Sequence, residues 1–160
     1  MAMLSADELA LRESARQALK YPPVTLTGKQ ALSIANGFKD QAIKSGYAIW
    51  ACSILPEHTH LVVARHRYHA EQIANLLKGA ATRQLIADDL HPLRHYAKSG
   101  KRPPGMWARH QWKSFLDSDA AIENAISYVI ENPIKEGMPK QNWKWMTPYA
   151  GLESAWTTYH

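Results

Sequence analysis

The sequence predicts an α+β fold in a single domain, on three observations. Several separate stretches repeat apolar residues at the 3.6-residue period of a helix. Between two of them lies a strongly apolar run, Tyr47 to Val63, that reads as extended chain interrupted by Pro56-Glu57. The length, 160 residues, suits one core of ordinary size and leaves little room for a second.

Each element has its own justification in chain order. Ser5 is a fitting N-cap with Glu8 three residues on, and Leu4, Leu11, Ala15 and Leu19 continue a helix to about Lys20. Tyr21-Pro22-Pro23 stops it, and Val24 to Thr27 is a short extended piece. A second helix starts after Thr27 or Gly28 and runs from about Lys29 to Lys44 on the stripe Ala31, Ile34, Ala35, Phe38, Ala42 and Ile43, with Gly46 placed for a left-handed cap. Two strands joined by a tight turn, or one strand entering and leaving a hairpin, account for Tyr47 to Val63. Tyr68 to about Ala87 returns to helical spacing through Ile73, Leu76, Leu77, Ala80, Leu85 and Ile86. From Asp88 to Arg109 periodicity fails, and prolines, glycines and basic residues make a charged loop with a mobile character. Trp107 to Phe115 alternates aromatic and basic residues in an expected strand, a pattern that fits base stacking beside phosphates and equally fits Trp on a core face. Ser118 or Asp119 caps a helix from about Ala120 to Glu131, with Asn132-Pro133 as its end. The aromatic tail from about 140 to 160 reads as an irregular cover.

Composition narrows the function classes. Nineteen Lys+Arg against fourteen Asp+Glu give a net charge of +5, which favours polyanionic partners, and eight histidines add latent positive charge. The single cysteine, Cys52, sits in an apolar run, excludes an internal disulfide and suits a reducing compartment as a small buried hydrophobe. No apolar run approaches the roughly 18 residues of a membrane span, and the start lacks a signal-peptide layout. A cytoplasmic protein without a membrane partner is the expectation.

Two stretches carry chemistry. In an extended strand His58, His60 and Val62 project to one side of Pro56-Glu57-His58-Thr59-His60-Leu61-Val62-Val63. Such a His-x-His pair is either a bidentate metal clamp or a pair of hydrogen-bonded edge groups. On the helix from Ala120, the residues Ile122, Ala125, Ile126, Val129 and Ile130 share one side, whereas Tyr128 falls opposite with Asn124 and Glu131, and Asn132 lies one turn further on. A tyrosine off the apolar stripe is either a displayed functional hydroxyl or an ordinary surface residue.

His58-Thr59-His60 after an apolar strand, with Tyr128, Asn132-Pro133 and Gly137 downstream, resembles the small single-tyrosine HUH transposases, including insertion-sequence transposases and their REP-associated relatives. That family's strand pattern is Met/Leu-Pro-Asn/Asp/Glu-His-x-His-Leu, and its helix carries Tyr-x-x-x-Asn-Pro-x-x-x-Gly. The resemblance runs from about Lys29 to Pro139. It implies a ferredoxin-like antiparallel sheet with helices packed mainly on one face. It implies a divalent metal, Mg²⁺ or Mn²⁺, on His58, His60 and Asn132, although two imidazoles accept zinc readily too. It implies Tyr128 as the nucleophile that forms a 5′-phosphotyrosine on single-stranded DNA, hairpin or palindromic in character, within a homodimer. Strand guidance falls to Arg65, Arg67, Lys78, Arg83, Arg102, Arg109 and Lys113, by phosphate contact. Two departures stand out. Glu57 occupies the place where Asn is commonest, and residues 1 to 20 lack the family's opening strand, which is missing, replaced, or completed by another chain. Two other readings remain: a domesticated single-stranded nucleic-acid-binding protein, and a metal-dependent hydrolase using the histidines with water.

Overall fold

A computed structural model describes residues 20–108 and 115–152. The order of elements there is helix α1 (Gly28–Ser45), strands β1 (Ile49–Ile54) and β2 (Thr59–Val63), helix α2 (Ala70–Ala87), a 3₁₀ turn at Arg94–Tyr96, and helix α3 (Asp119–Lys135). The α+β class is therefore observed. The expected helix within residues 5–20 and most of the expected strand from Trp107 to Phe115 lie outside the described residues.

Local chemistry sets the boundaries of α1. The Thr27 hydroxyl accepts from Gln30 N–H while the Gln30 side chain accepts from Thr27 N–H, a reciprocal capping box. At the other end Gly46 takes φ 72°, and Tyr47 N–H donates back to the Ala42 carbonyl. The preceding Val24 to Thr27 is not a strand. Thr27 is spent on the cap, and Leu26 N–H makes one backbone bond, to Pro56 O.

The two strands pair antiparallel, with Ser53 opposite His60, Cys52 opposite Leu61 and Ile54 opposite Thr59. An extra residue, Trp50, interrupts the register between Ile49 and Ala51. The bulge has a packing consequence. It lets Ile49, Cys52 and Ile54 face one core while Trp50 and Ala51 both face the other. The first core joins those strand residues to Ile34 and Phe38 of α1 and to Ile73, Leu77 and Leu85 of α2. The second joins Trp50, Ala51 and Val62 to Ile122 and Val129 of α3. Among the described helices, α1 and α2 thus cover one sheet face and α3 the other. Burial on both faces explains why β1 reads as one unbroken apolar run rather than an alternating one. It also pushes the Cys52 thiol pKa up, since nothing near it stabilises a thiolate.

The helix α3 corrects the expected stop at Asn132-Pro133. It continues through Pro133 to Lys135 and closes with a Schellman arrangement, Met138 N–H to Pro133 O and Gly137 N–H to Ile134 O, with Gly137 at φ 76°. Proline is tolerated because it stands in the last turn, where only the bond to the Val129 carbonyl is lost, and because its ring is fully buried.

After α3 the tail is irregular and rounds the outer edge of β1. Gln141 bonds both backbone groups of Ile54, Thr147 N–H donates to Ile49 O, and Tyr149 stacks edge-on against Trp50. Trp143 and Trp145 pack on the first core, Tyr149 and Leu152 on the second, so the tail passes from one sheet face to the other. The Asp88 to Arg109 loop is better anchored than its composition suggests. His91 and Leu93 are buried in it, Ser33 donates to Asp88, and Gln30 donates to Leu90 O.

Candidate functional site

The hairpin turn places the first histidine. Leu55 N–H donates to His58 O across the two-residue loop Pro56-Glu57, so His58 lies just before β2 and His60 within it. Their rings meet edge to face with centroids 4.8 Å apart. His58 is exposed and His60 half-buried. Burial, reinforced by repulsion from His58, lowers the His60 pKa to about 4, so at neutral pH His60 is an uncharged imidazole with a lone pair available to a metal.

The helix α3 brings the tyrosine to the pair. The Tyr128 ring stands perpendicular to that of His60, with centroids 5.9 Å apart. This corrects the expected placement of Tyr128 on a face turned from the core. It is half-buried and packs against the second core, on the flank of α3 that looks onto β2. Asn132, one turn on, is 6 % exposed, and its Nδ2 has no hydrogen-bond partner. A buried amide left unpaired is costly, of order 1–3 kcal/mol, and such groups are uncommon away from functional positions. Directly across the ladder from His60, the buried Ser53 hydroxyl is likewise unpartnered.

Two further residues come with the extra turn of α3. Lys135 Nζ sits 5.6 Å from the Tyr128 ring centroid, and Glu136 Oε1 lies 3.5 Å from His58 Nε2. Sequence reasoning missed both because it ended the helix at Glu131. The signal was present in the spacing, since 128, 132, 135 and 136 share one flank of a helix that continues. The hairpin and α3 thus bring together His58, His60, Tyr128 and Glu136, with Asn132 on the flank between the two helix contacts.

A metal on this set is chemically reasonable. Two imidazoles, one held neutral by burial, and the carbonyl oxygen of the buried Asn132 amide would form a mixed nitrogen and oxygen donor set. Among the described residues no three His, Cys, Asp or Glu already stand in metal-holding geometry, and the third donor expected here is an asparagine.

The expected strand-guiding residues are dispersed. Arg65 and Arg67 are exposed beyond the end of β2, and the Arg67 guanidinium lies over the Tyr68 ring. Lys78 donates to Ala108 O, and partial burial lowers its pKa. Arg83 and Arg102, with Lys101, line a cleft of about 350 Å³ beside α2, in the helix layer on the sheet face opposite α3. Arg109 and Lys113 lie outside the described residues. Trp107 belongs to the core, with its Nε1 donating to Thr82 Oγ1 and its ring beside Phe38. His66 is structural: its Nδ1 accepts from Tyr68 N–H and its Nε2 donates to Ser45 O. No described helix is long and apolar enough to cross a membrane.

Over 107 residues, 64 % of this chain, the sequence is 31 % identical to a putative REP-associated tyrosine transposase of Haemophilus influenzae. The overlap covers 57 % of that protein, so the chain spans a little over half the length of the relative. No protein-family model and no solved structure matches the chain. The likeness agrees with the motif pair on His58-Thr59-His60 and Tyr128 to Gly137: this chain is similar to the REP-associated tyrosine transposases.

Proposed function

We propose that the chain is a metal-dependent transferase of single-stranded DNA that works through a 5′-phosphotyrosine. The observation that carries this reading is the meeting of Tyr128 with His60 across two elements 68 residues apart in sequence (128 − 60). A similar protein named as a tyrosine transposase supports it.

Each residue has a task set by the chemistry of a phosphodiester. The Tyr128 hydroxyl attacks phosphorus; the new Tyr–O–P bond forms as the bond to the 3′ oxygen breaks, and the phenolic proton leaves to water or a neighbouring base. The freed 3′ oxygen takes up a proton and departs as a hydroxyl. In the reverse sense a 3′ hydroxyl attacks the phosphotyrosine, so strands are rejoined without a nucleotide cofactor. A bound divalent cation, Mg²⁺ or Mn²⁺, supplies charge neutralisation and polarisation of the phosphate. His58, His60 and Asn132 hold it, and Lys135 adds positive charge beside the phenol ring. Arg65, Arg67, Arg83 and Arg102 offer phosphate contacts to the rest of the strand.

The test is a covalent adduct. Incubation with Mg²⁺ and a single-stranded hairpin DNA should give a protein–DNA species that survives denaturing electrophoresis and disappears in Tyr128→Phe. An adduct that persists in Tyr128→Phe would refute the assignment. Salt-sensitive DNA binding with no adduct would favour a domesticated binding protein, and strand cleavage untouched by Tyr128→Phe would favour a hydrolase using water.

A further inference from the structure

We infer that the cleft formed by Arg83, His91, Arg94, Lys101 and Arg102 is a second binding site, separate from Tyr128, for a phosphate of a nucleic-acid strand. It lies beside α2, on the sheet face opposite α3, and shares no residue with the hairpin site. For the source of the phosphate this rests on the DNA reading above; the pocket itself does not.

The cleft has two parts whose walls share Ile86 and Pro103. The wider, of about 350 Å³, is lined by Arg83, Lys101 and Arg102, and the narrower, of about 150 Å³, by His91 and Arg94. The narrower part equals the volume of roughly five waters, which admits one phosphate group and not a nucleoside. Against these four guanidinium and ammonium groups the walls place one carboxylate, Asp89. Among the described residues none of the four forms an ion pair. The uncompensated positive charge favours an anion, and planar guanidinium forks match phosphate oxygens.

The buried histidine points the same way. His91 is 1 % exposed, and its Nδ1 accepts from Leu93 N–H at 3.1 Å. Burial, then the charges of Arg102 and Arg94, lower its pKa, so at neutral pH the ring is uncharged and its proton sits on Nε2. That N–H has no partner among the described residues, an uncommon state for a buried donor. A donor flanked by two guanidinium groups suits an anionic oxygen and repels a cation. The floor is held from below, since Arg94 Nη1 donates to His91 O and Gln30 donates to Leu90 O. Nε2 is shut from water, and the exposed Lys101 and Arg102 side chains are the part of the wall able to swing outward as a phosphate enters.

The experiment uses the full chain in EDTA, so that divalent ions take no part. Inorganic phosphate is titrated while the His91 Nε2–H is followed by nitrogen-15 nuclear magnetic resonance. Binding of a labelled single-stranded oligonucleotide is followed by fluorescence anisotropy. Phosphate should shift the His91 signal saturably. Arg83→Ala/Arg102→Ala should weaken oligonucleotide binding about five-fold or more, whereas Lys39→Ala/Lys44→Ala, which removes the same charge towards the other end of α1, should change it less than about two-fold. A His91 signal unmoved by phosphate, or equal losses in the two double variants, would overturn the proposal, because the attraction would then be diffuse. A saturable shift with unaltered oligonucleotide affinity in Arg83→Ala/Arg102→Ala would overturn the strand as the source and make free phosphate the ligand. A parent chain that binds no oligonucleotide would overturn the DNA reading and this inference together.

Discussion

Gln141 pairs with the outer edge of β1 as a strand would, and removing it should loosen the end of the hairpin that presents His58. Its side-chain amide copies a backbone peptide: Nε2 donates to Ile54 O at 2.7 Å while Oε1 accepts from Ile54 N–H at 2.8 Å. Ile54 is 1 % exposed, so these two groups have little access to water once the amide is gone. Each hydrogen bond contributes about 0.5–1.5 kcal/mol net, which makes the loss in Gln141→Ala about 1–3 kcal/mol, towards the upper end if the strand edge stays dry. Gln141→Glu is the sharper probe. It preserves size and the acceptor for Ile54 N–H but sets a carboxylate oxygen against the Ile54 carbonyl. It should therefore be as unstable as the alanine variant at neutral pH and recover in acid, where a protonated carboxyl regains the donor. Urea unfolding at fixed pH measures the stabilities, and hydrogen exchange at the Ile54 amide localises the change. A Gln141→Ala protein within about 0.3 kcal/mol of the parent, or an Ile54 amide that exchanges as slowly as before, would refute the reasoning.

Three further outcomes are expected. Gly37→Ala places a Cβ 2.8 Å from the Ala81 backbone and should cost about 1–3 kcal/mol despite its better helix propensity, whereas Gly79→Ala meets only the mobile Arg83 side chain at 3.3 Å and should be neutral or stabilising by up to about 1 kcal/mol; paired thermal melts check this. His91 is buried, and its pKa is lowered first by burial and then by Arg102 and Arg94, so the unfolded chain takes up its proton before the folded one does. Its contribution is complete above the ordinary histidine pKa of roughly 6.5 and is lost as pH falls below it, by at most about 1.4 kcal/mol per pH unit; His91→Asn, which keeps an acceptor for Leu93 N–H, should flatten that slope in urea titrations between pH 8 and 5. Asn132→Leu should match or exceed the parent in stability, since it removes a buried amide nitrogen that has no partner, yet lose Mn²⁺ affinity when free Mn²⁺ is read by electron paramagnetic resonance; a variant destabilised by more than about 2 kcal/mol would show that Asn132 serves the fold.

What the sequence discloses here follows the range of the forces involved. Pro56-Glu57 and the Thr27–Gln30 capping box act within a few residues, and the hairpin and the start of α1 lie where those residues indicate. The facing of Tyr128 depends on what covers both sides of the sheet. An apolar stripe locates the middle of a buried face and leaves its flank ambiguous, so Tyr128, on that flank, is half-buried against β2 although it falls off the stripe. Reading Asn132-Pro133 as a stop is sound for a helix interior. It fails here because Pro133 falls in the closing turn, where one lost bond is offset by burial of its ring and by the Gly137 closure. That single misplaced boundary hid Lys135 and Glu136, the two charged neighbours of the site.

The same forces bear on how the hairpin is held. Among the described residues β1 and β2 pair only with each other, and a two-stranded hairpin alone is marginal in water. What holds it is burial on both faces, by α1 and α2 through Ile49, Cys52 and Ile54 and by α3 through Trp50, Ala51 and Val62, where each fully buried large side chain contributes about 1.5–3 kcal/mol. The Trp50 bulge makes that double coverage possible, and Gln141 and Thr147 occupy part of the edge of β1 that another strand would take. Among the described residues, the position of His58 and His60 relative to Tyr128 is therefore set by packing of α3 against the hairpin. A chain whose residues 20 to 28 form no strand can still keep the pair and the tyrosine in register, provided the α3 layer is intact.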